Sequence, residues 1–350
     1  MKWLNGFRMR FVFIGFVAAI VLGGGQRAIG DFVIGDAVLM DEAINHPSSR
    51  GIEGGSLSHD GLRFYFAMER DGGYGGRDIW VCERESPDAH WGEAVNLGPN
   101  VNGPASETEP EISHDELELY FWAGVGCRST RASKDEPWGP RTAYNGFYPD
   151  DFSSDGLTMY FTDRWSLPGY GEGDIWMLKR ASTDDDWGDP INLGPNVNDE
   201  RRQGNACISH DELALFFNED DALLMKMSVR RSRDSDWGPA VDISATLCPE
   251  DHKRYIPELS PDGRVLYFFR TVAGAFAERK FCQAPITPIV DFDGDGIVGL
   301  REFSKLAQYW GQNEPSVDIG PMPWGNGIVD VQDLAVLAEN WLVDYRLIAH

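Results

Sequence analysis

Residues 260–268 read Ser-Pro-Asp-Gly-Arg-Val-Leu-Tyr-Phe, a Ser-x-Asp-(Gly/Glu) turn signal followed by an apolar and aromatic run. The same signature occurs five times, beginning at Ser58, Ser113, Ser153, Ser209 and Ser260. Asp-Gly is a tight-turn dipeptide in which glycine supplies a positive φ, and the run after it has the composition of a hairpin strand. The signature therefore predicts five β-hairpins, and its recurrence predicts a repeat architecture.

Further signatures give each repeat two more strands. Trp-Gly recurs at intervals of about 50 residues, at Trp91, Trp138, Trp187 and Trp237. Asp-Ile-Trp occurs at residues 78–80 and 174–176, and Asn-Leu-Gly-Pro-Asn-Val-Asn occurs at 96–102 and 192–198. A unit of four short strands in about 50 residues is typical of a β-propeller blade. The expected fold class is mainly β.

The number of blades follows from an imbalance between the motifs. Five turns are present, but the last repeat ends near Phe281 without a Trp-Gly strand. Residues 34–38 match residues 91–95, and Asn45 then falls where Asn102 does. We expect the N-terminal strand to complete the last blade and close a five-bladed ring without exposed sheet edges. A sixth, diverged blade within residues 31–57 is the alternative.

These motifs resemble the WD40-like (PD40, TolB-like) propeller repeat, and residues 260–268 are the nearest copy. The resemblance covers about 31–286 and implies a β-propeller. It departs at Glu116 and Glu212, which replace the turn glycine. The repeated tryptophans are expected to pack between blades. The five cysteines are expected to be buried small side chains, although one disulfide is compatible with the sequence.

The first thirty residues have the features of a secretory signal peptide. Lys2, Arg8 and Arg10 precede an apolar run of 12 residues, 11–22, and small residues follow it. The run is short for a membrane span, so we expect cleavage near residue 30 rather than an uncleaved anchor. The predicted location is extracellular, at the cell surface or periplasmic. The net charge of −25 argues against nucleic acid and anionic membranes as partners.

Residues 291–302 fit the twelve-residue calcium loop of an EF-hand. The predicted ligands are the side chains of Asp291, Asp293, Asp295 and Glu302 and the carbonyl group of Ile297. Hard oxygen ligands at this spacing favour Ca²⁺ as the cofactor. The pattern recurs 31 residues later, where the candidate ligands are Asp318, Asn326, Asp330 and Asp333. We expect metal at the first loop and leave the second open.

The duplicated loop and helix resemble a bacterial type I dockerin domain over about 289–345, so 287–350 is the predicted second domain. The resemblance implies attachment to a cohesin-like or other docking protein. In this chain the positions that read the partner in dockerins hold Leu300, Arg301, Val331 and Gln332, whereas the family often has hydroxyl side chains there. The resemblance therefore implies a calcium-dependent docking module, and the calcium loop is the part of it that these residues support best.

Two functions are open for the propeller. The first is non-catalytic binding of a protein or a glycan, and the alternative is glycoside hydrolysis. Hydrolysis needs two carboxylates, and acidic residues lie near the predicted starts of inner strands: Glu109, Glu111, Asp150, Asp151 and Glu258. The fourth repeat instead has residues suited to a sugar or an anion: Arg201, Arg202, Gln203 and Asn205. The turn histidines His59, His114 and His210 are expected to be structural.

Overall fold

Each Ser-x-Asp motif forms the turn between the first two strands of an antiparallel sheet. The computed structural model describes residues 32–342, apart from 49, 220–223, 231, 248–255, 271–278, 289, 294–296, 315–316 and 321–327. Five such sheets form the blades of a propeller, which makes the fold mainly β, as predicted. A sixth blade within residues 31–57 is wrong, because the described strands of this region belong to the first and last blades.

The described chain begins with two short strands, β1 (Phe32–Ile34) and β2 (Val38–Leu39). Four complete blades follow. The first blade consists of β3 (Gly55–Leu57), β4 (Arg63–Met68), β5 (Asp78–Glu83) and β6 (Val95–Asn96). The second consists of β7 (Thr108–Ile112), β8 (Glu118–Trp122), β9 (Gly126–Thr130) and β10 (Thr142–Ala143). The third consists of β11 (Pro149–Phe152), β12 (Thr158–Asp163), β13 (Asp174–Lys179) and β14 (Ile191–Asn192). The fourth consists of β15 (Gln203–Ile208), β16 (Ala214–Glu219), β17 (Leu224–Val229) and β18 (Val241–Asp242).

The fifth blade is built from both ends of the propeller sequence. A four-residue helix, α1 (Ser244–Leu247), precedes its strands β19 (Glu258–Leu259), β20 (Val265–Arg270) and β21 (Lys280–Pro288). Both N-terminal strands pair antiparallel with β21 and take the place of a fourth strand. The inner strands β3, β7, β11, β15 and β19 contact their neighbours in turn, and β19 contacts β3. The ring is therefore closed by the N-terminal strands, as predicted.

The turn motif works through its serine and aspartate. In the first blade, the Ser58 hydroxyl donates to Asp60 at 2.6 Å and accepts from the Arg63 amide at 2.8 Å. The residue after the aspartate is left-handed in all five turns, at Gly61, Glu116, Gly156, Glu212 and Gly263. Glutamate holds this conformation at a cost, because its Cβ crowds the backbone. Each of these two glutamates is buried and ion-paired, Glu116 with Arg63 at 3.0 Å and Glu212 with Arg230 at 3.4 Å.

The hydrophobic cores lie between neighbouring blades. One of them joins Tyr65 and Ile79 of the first blade to Leu119, Phe121 and Trp138 of the second. The Trp-Gly tryptophans also lie under arginines, with guanidinium-to-ring distances of 4.2–4.4 Å in four blades. Burial of one large apolar side chain stabilises a protein by about 1.5–3 kcal/mol, so the repeated aromatic residues hold the blades together.

The region after the propeller contains two short helices, α2 (Leu300–Gln308) and α3 (Val331–Glu339). They share a small core that includes Val298, Leu306, Val329 and Leu337. Of the five cysteines, the four that lie in the described chain are buried thiols: Cys82, Cys127, Cys207 and Cys282. Across the described residues, no helix is long and apolar enough to cross a membrane. The proposed leader lies outside the described residues.

Candidate functional site

The inner strands place one side chain of each blade at the same level of the propeller axis. These residues stand two positions before the serine of each turn: Ser56, Glu111, Asp151, Cys207 and Glu258. Glu111, Asp151, Cys207 and Glu258 line a cavity of about 60 Å³, which we call the axial cavity. Three of the five predicted acidic residues are therefore brought together here.

The axial side chains bind the backbone of the adjacent blade. Asp151 Oδ2 accepts from the Ile208 amide at 2.7 Å, and Ser56 Oγ accepts from the Ile112 amide at 3.2 Å. Glu258 Oε2 lies 3.5 Å from the Leu57 amide. A buried amide without a partner costs about 1–3 kcal/mol, so these contacts stabilise the ring. One carboxylate oxygen of Asp151 and one of Glu258 are therefore occupied by contacts with the backbone.

Burial raises the pKa of the axial acids. Loss of hydration, with a smaller contribution from the charge of neighbouring Asp150, raises the pKa of Asp151 to about 7, against hydrogen bonds that lower it. Burial also raises the pKa of Glu111 and of Glu258 well above the ordinary value, and each faces at least one other axial acid. Burial therefore favours the protonated form of these three acids.

Asp150 lies beside the axial residues, on the side of the strand starts. Its Oδ2 accepts a hydrogen bond from the Thr162 hydroxyl at 2.5 Å and from the Ala206 amide at 3.3 Å. Burial raises its pKa to about 7, although both hydrogen bonds oppose the shift. Like Asp151, it joins the third blade to the fourth.

A larger cavity of about 350 Å³ opens where the inner strands begin, and we call it the mouth cavity. Its lining is mainly charged and amide side chains: Glu53, Glu109, Arg164, Arg202, Gly204, Asn205, Asn218, Ile256, Phe269 and Arg279. A third, small cavity is lined by residues of both, including Glu109, Asn205 and Glu258. The mouth and axial cavities therefore lie along the same channel.

Two residues of the mouth have left-handed backbone conformations that side chains rarely adopt. Glu109 has a φ of 52° and Asn205 a φ of 53°, and the equivalent position of the first blade is Gly54 with a φ of 74°. Such conformations cost of order 1–3 kcal/mol and are concentrated at functional sites. Each stands at an irregularity in pairing, where β7 and β15 lose register with their partners. Both residues line the mouth cavity.

Glu109 is the acid most accessible to a ligand. Its side chain is exposed to the mouth cavity, although protein surrounds it on most sides. Desolvation raises its pKa, the charge of Glu53 raises it further, and Arg164 opposes the shift. Glu53 itself lies 3.3 Å from an Arg77 nitrogen and 3.5 Å from an Arg279 nitrogen. The two carboxyl groups therefore stand in different electrostatic surroundings.

The fourth repeat contributes two of its four predicted residues to the mouth. Arg202 and Asn205 line the cavity. Arg201 instead pairs with Glu219 at 2.6 Å, and the buried Gln203 donates to Asp199 at 2.7 Å. Of the four residues predicted in this repeat to bind a sugar or an anion, only two therefore lie at the cavity.

Sequence reasoning missed the second-strand residues and those beside them. Arg164 follows the end of β12, and Asn218 and Phe269 lie near the ends of β16 and β20. An antiparallel hairpin returns its second strand to the level at which the first began. Strand ends after the Tyr-Phe or Phe-Phe pairs therefore carried a signal that could have identified these positions.

The turn histidines lie at the opposite end of the channel. His59, His114 and His210 line the axial cavity, and the rings of His59 and His210 stack with centroids 4.7 Å apart. Burial lowers the pKa of His59, and the nearby His210 and His114 lower it further. The stacked rings of His59 and His210 narrow this end of the channel.

In the C-terminal region, three predicted calcium ligands come together. The carboxylate oxygens of Asp291, Asp293 and Glu302 lie within 4.8 Å of one another. Glu302 is buried, its Oε2 accepts from the Gly299 amide at 2.7 Å, and its Oε1 has no hydrogen-bond partner among the described residues. Ile297 lies in the same loop, and Asp295 falls outside the described residues.

The second loop differs at the position that corresponds to Glu302. Asp333 Oδ1 accepts from the amides of Ile319 at 2.6 Å and Gly320 at 2.8 Å, and Oδ2 accepts from Asp330 at 2.6 Å. Both of its carboxylate oxygens are therefore engaged by backbone. Asp318, which precedes Ile319 in the sequence, is buried. Asn326 falls outside the described residues.

Comparison with known proteins adds fold similarity only. No family model and no curated protein matches the chain. The fold is similar to the catalytic domain of a GH62 α-L-arabinofuranosidase from Coprinopsis cinerea, at 10% identity and a TM-score of 0.46, covering 75% of this chain and 98% of that one. It is similar to a family 117 glycoside hydrolase from Zobellia galactanivorans, at 12% identity and a TM-score of 0.42, over 74% and 90% of the two chains. It is also similar to TolB from Acinetobacter baumannii, at 13% identity and a TM-score of 0.38, over 66% and 54%.

Proposed function

We propose that this protein is exported and binds a glycan in the mouth cavity without cleaving it, and that its C-terminal region attaches it to a protein partner. The observation that carries the binding function is the mouth cavity itself. Its volume of about 350 Å³ falls in the range of small-molecule sites, about 300–1,000 Å³. Its lining offers donors and acceptors at many angles, which suits the hydroxyl groups of a sugar.

The backbone strain at Glu109 and Asn205 supports a site at this place. Both residues keep left-handed conformations in which glycine would be less strained. A side chain retained at such a position has a use that offsets the strain, and here both side chains lie in the cavity lining. The left-handed glutamates of the turns, Glu116 and Glu212, are a different case, because their ion pairs account for a side chain at a strained position.

Non-catalytic binding fits the engagement of the channel acids. Asp150, Asp151 and Glu258 accept hydrogen bonds from the backbone of adjacent blades, and burial raises the pKa of each. These contacts are typical of carboxyl groups that stabilise the fold. In the mouth cavity Glu109 is exposed, whereas Glu53, the other acid of the lining, is ion-paired with Arg77 and Arg279.

An oligosaccharide panel tests the proposal. We expect the full chain to bind at least one class of oligosaccharide by calorimetry, with recovery of the intact oligosaccharide afterwards. Asn205→Gly keeps a backbone that tolerates the left-handed conformation and removes the amide, so affinity should fall while thermal stability is retained. Absence of binding across acidic, neutral and branched plant and algal oligosaccharides would contradict the proposal.

Glycoside hydrolysis is the second candidate, and one observation favours it. Glu109 has a raised pKa, as a general acid requires, and Glu53 is ion-paired with arginines, as suits a charged carboxylate. This is the arrangement in which two carboxyl groups take different roles. Release of reducing ends by the wild type, lost in Glu109→Gln but not in Asp150→Asn, would select hydrolysis over binding alone.

For the C-terminal region, the proposed cofactor is one Ca²⁺ in the first loop. The residues that would hold it are Asp291, Asp293, Asp295 and Glu302 with the Ile297 carbonyl group. Hard oxygen donors suit this ion, and the unpartnered Oε1 of buried Glu302 is an oxygen that a cation would satisfy. The bound ion would offset the charge repulsion among the carboxylates. We propose that the ordered loop supports residues 287–350 as a calcium-dependent docking module for a cohesin-like or other protein.

A further inference from the structure

The mouth cavity concentrates positive charge in an acidic protein. Its lining has three arginines, Arg164, Arg202 and Arg279, against two glutamates, Glu53 and Glu109, whereas the whole chain carries −25. Charges of one sign in a low-dielectric cleft focus the field on a ligand of the opposite sign.

The three arginines are not equivalent. Arg279 is buried, donates to the Ile52 carbonyl group at 3.2 Å and lies 3.5 Å from Glu53, so it belongs to the wall. Arg164 is exposed to the cavity, and within the described residues it donates no hydrogen bond and forms no ion pair. Its guanidinium group is available to a ligand.

Arg164 and Arg202 run side by side along the rim. A Cβ placed on Gly173 would lie 2.9 Å from Arg202 Cγ and 3.3 Å from Arg164 Cγ, so both stems pass the same glycine. Both arginines also line the mouth cavity. Arginine forks bind the oxygens of carboxylate and sulfate groups in two parallel hydrogen bonds.

We infer that the mouth cavity binds an acidic glycan and holds the anionic substituent of the sugar, a uronate carboxylate or a sulfate ester, between Arg164 and Arg202. The inference rests on the proposed glycan-binding function and adds the chemical class of the ligand. The hydroxyl groups of the same sugar meet the amides of Asn205 and Asn218, which also line the cavity.

The test is calorimetric titration of the full chain with four hexasaccharides at low salt. They are hexagalacturonate, its fully methyl-esterified form, a carrageenan hexasaccharide and xylohexaose. We expect hexagalacturonate or the sulfated sugar to bind at least tenfold more tightly than xylohexaose, and the salt dependence to be strong. The better of the two acidic sugars identifies the anionic group. Equal affinity for the charged and esterified hexagalacturonates, when the sulfated sugar binds no better than xylohexaose, would overturn the inference.

Variants locate the charge recognition. Arg164→Gln should weaken binding of the acidic hexasaccharide at least tenfold, and Arg164→Lys should restore part of it, because charge returns without the fork. Lys179→Gln is the matched control, since it removes one exposed positive charge at the opposite end of the same hairpin. Unchanged affinity in Arg164→Gln, with an unchanged melting temperature, would overturn the inference.

The outcomes separate the two proposals. If xylohexaose binds as tightly as the acidic sugars, glycan binding stands and the inference about charge fails. If none of the four binds and the wider oligosaccharide panel also gives no binding, the proposed function itself fails.

Discussion

The side chain of Asn45 clamps the backbone of Phe281, 236 residues further along the chain. Its Oδ1 accepts from the Phe281 amide at 2.9 Å and its Nδ2 donates to the Phe281 carbonyl group at 2.8 Å. Asn102 makes the same pair of contacts with Ile79, at 2.8 and 2.9 Å, inside one blade. Closure of the ring therefore reuses an interaction that the repeat already contains.

The first prediction concerns this clamp. Asn45→Ala leaves a buried amide and a buried carbonyl group of Phe281 without partners, so the free energy of unfolding should fall by about 2 kcal/mol or more. For Asn102→Ala, the matched variant within a blade, the free energy of unfolding should fall by a similar amount. Urea denaturation measures both. A loss in the Asn102 variant alone would show that the N-terminal contact does not stabilise the ring.

The second prediction concerns the left-handed Glu116. Its buried carboxylate pairs with Arg63 and with Arg131, which is itself 6% exposed. Glu116→Ala removes these contacts and keeps the strain, whereas Glu116→Gly removes them and relieves it. Both variants should be destabilised, and the glycine variant should be about 1 kcal/mol more stable than the alanine variant. Equal stabilities in thermal unfolding would contradict strain at this turn.

Most of the fold follows from local signals. Every Ser-x-Asp turn was identifiable because its hydrogen bonds join residues two to five positions apart. Even the closing strand was predictable, since residues 34–38 repeat a blade pattern. Exact strand ends were not predictable, and the outer strand that follows Trp91-Gly92 contains only Val95–Asn96.

The third prediction is a stoichiometry of one calcium ion. Glu302 Oε1 has no hydrogen-bond partner among the described residues, whereas both oxygens of Asp333 accept backbone hydrogen bonds. Glu302→Gln should therefore weaken calcium binding at least tenfold, because it replaces a charged carboxylate ligand with a neutral amide. Asp333→Asn should lower stability and leave the stoichiometry at one. Calorimetry of the full chain that gives two equal sites would contradict this assignment.

The fourth prediction is a pH dependence of stability. The ordinary pKa of aspartate is near 3.8, and burial raises the pKa of Asp150 and Asp151 to about 7 in the folded protein. Between these values the folded state holds protons that the unfolded state releases, so stability falls as pH rises from about 4 to about 7. Each group contributes up to about 1.4 kcal/mol per pH unit in that window.

Asp151→Asn should flatten this dependence, because the amide has no proton to exchange. Asp189→Asn, at an exposed position outside the channel, is the control and should leave the slope unchanged. The measurement is chemical denaturation at pH 5 and pH 8. Equal slopes for the wild type and Asp151→Asn would show that the axial carboxyl groups ionise normally.

The site was less predictable than the fold. The sequence placed five acids near the strand starts, but it could not distinguish Glu109 at the mouth from Glu111, which lies two residues further and faces the axial cavity. An irregularity in β7 pairing separates them. Arg164 and Arg279 come from loops and strand edges of different blades, so only the closed ring brings them beside Arg202.

The central claim is that the mouth cavity is the ligand site, and a crystal structure of the full chain with its best-binding oligosaccharide tests it most directly. Our account predicts a sugar that contacts Glu109, Asn205 and Arg164, with an intact glycosidic bond. A sugar bound outside the mouth cavity, or a cleaved product in it, would contradict the account.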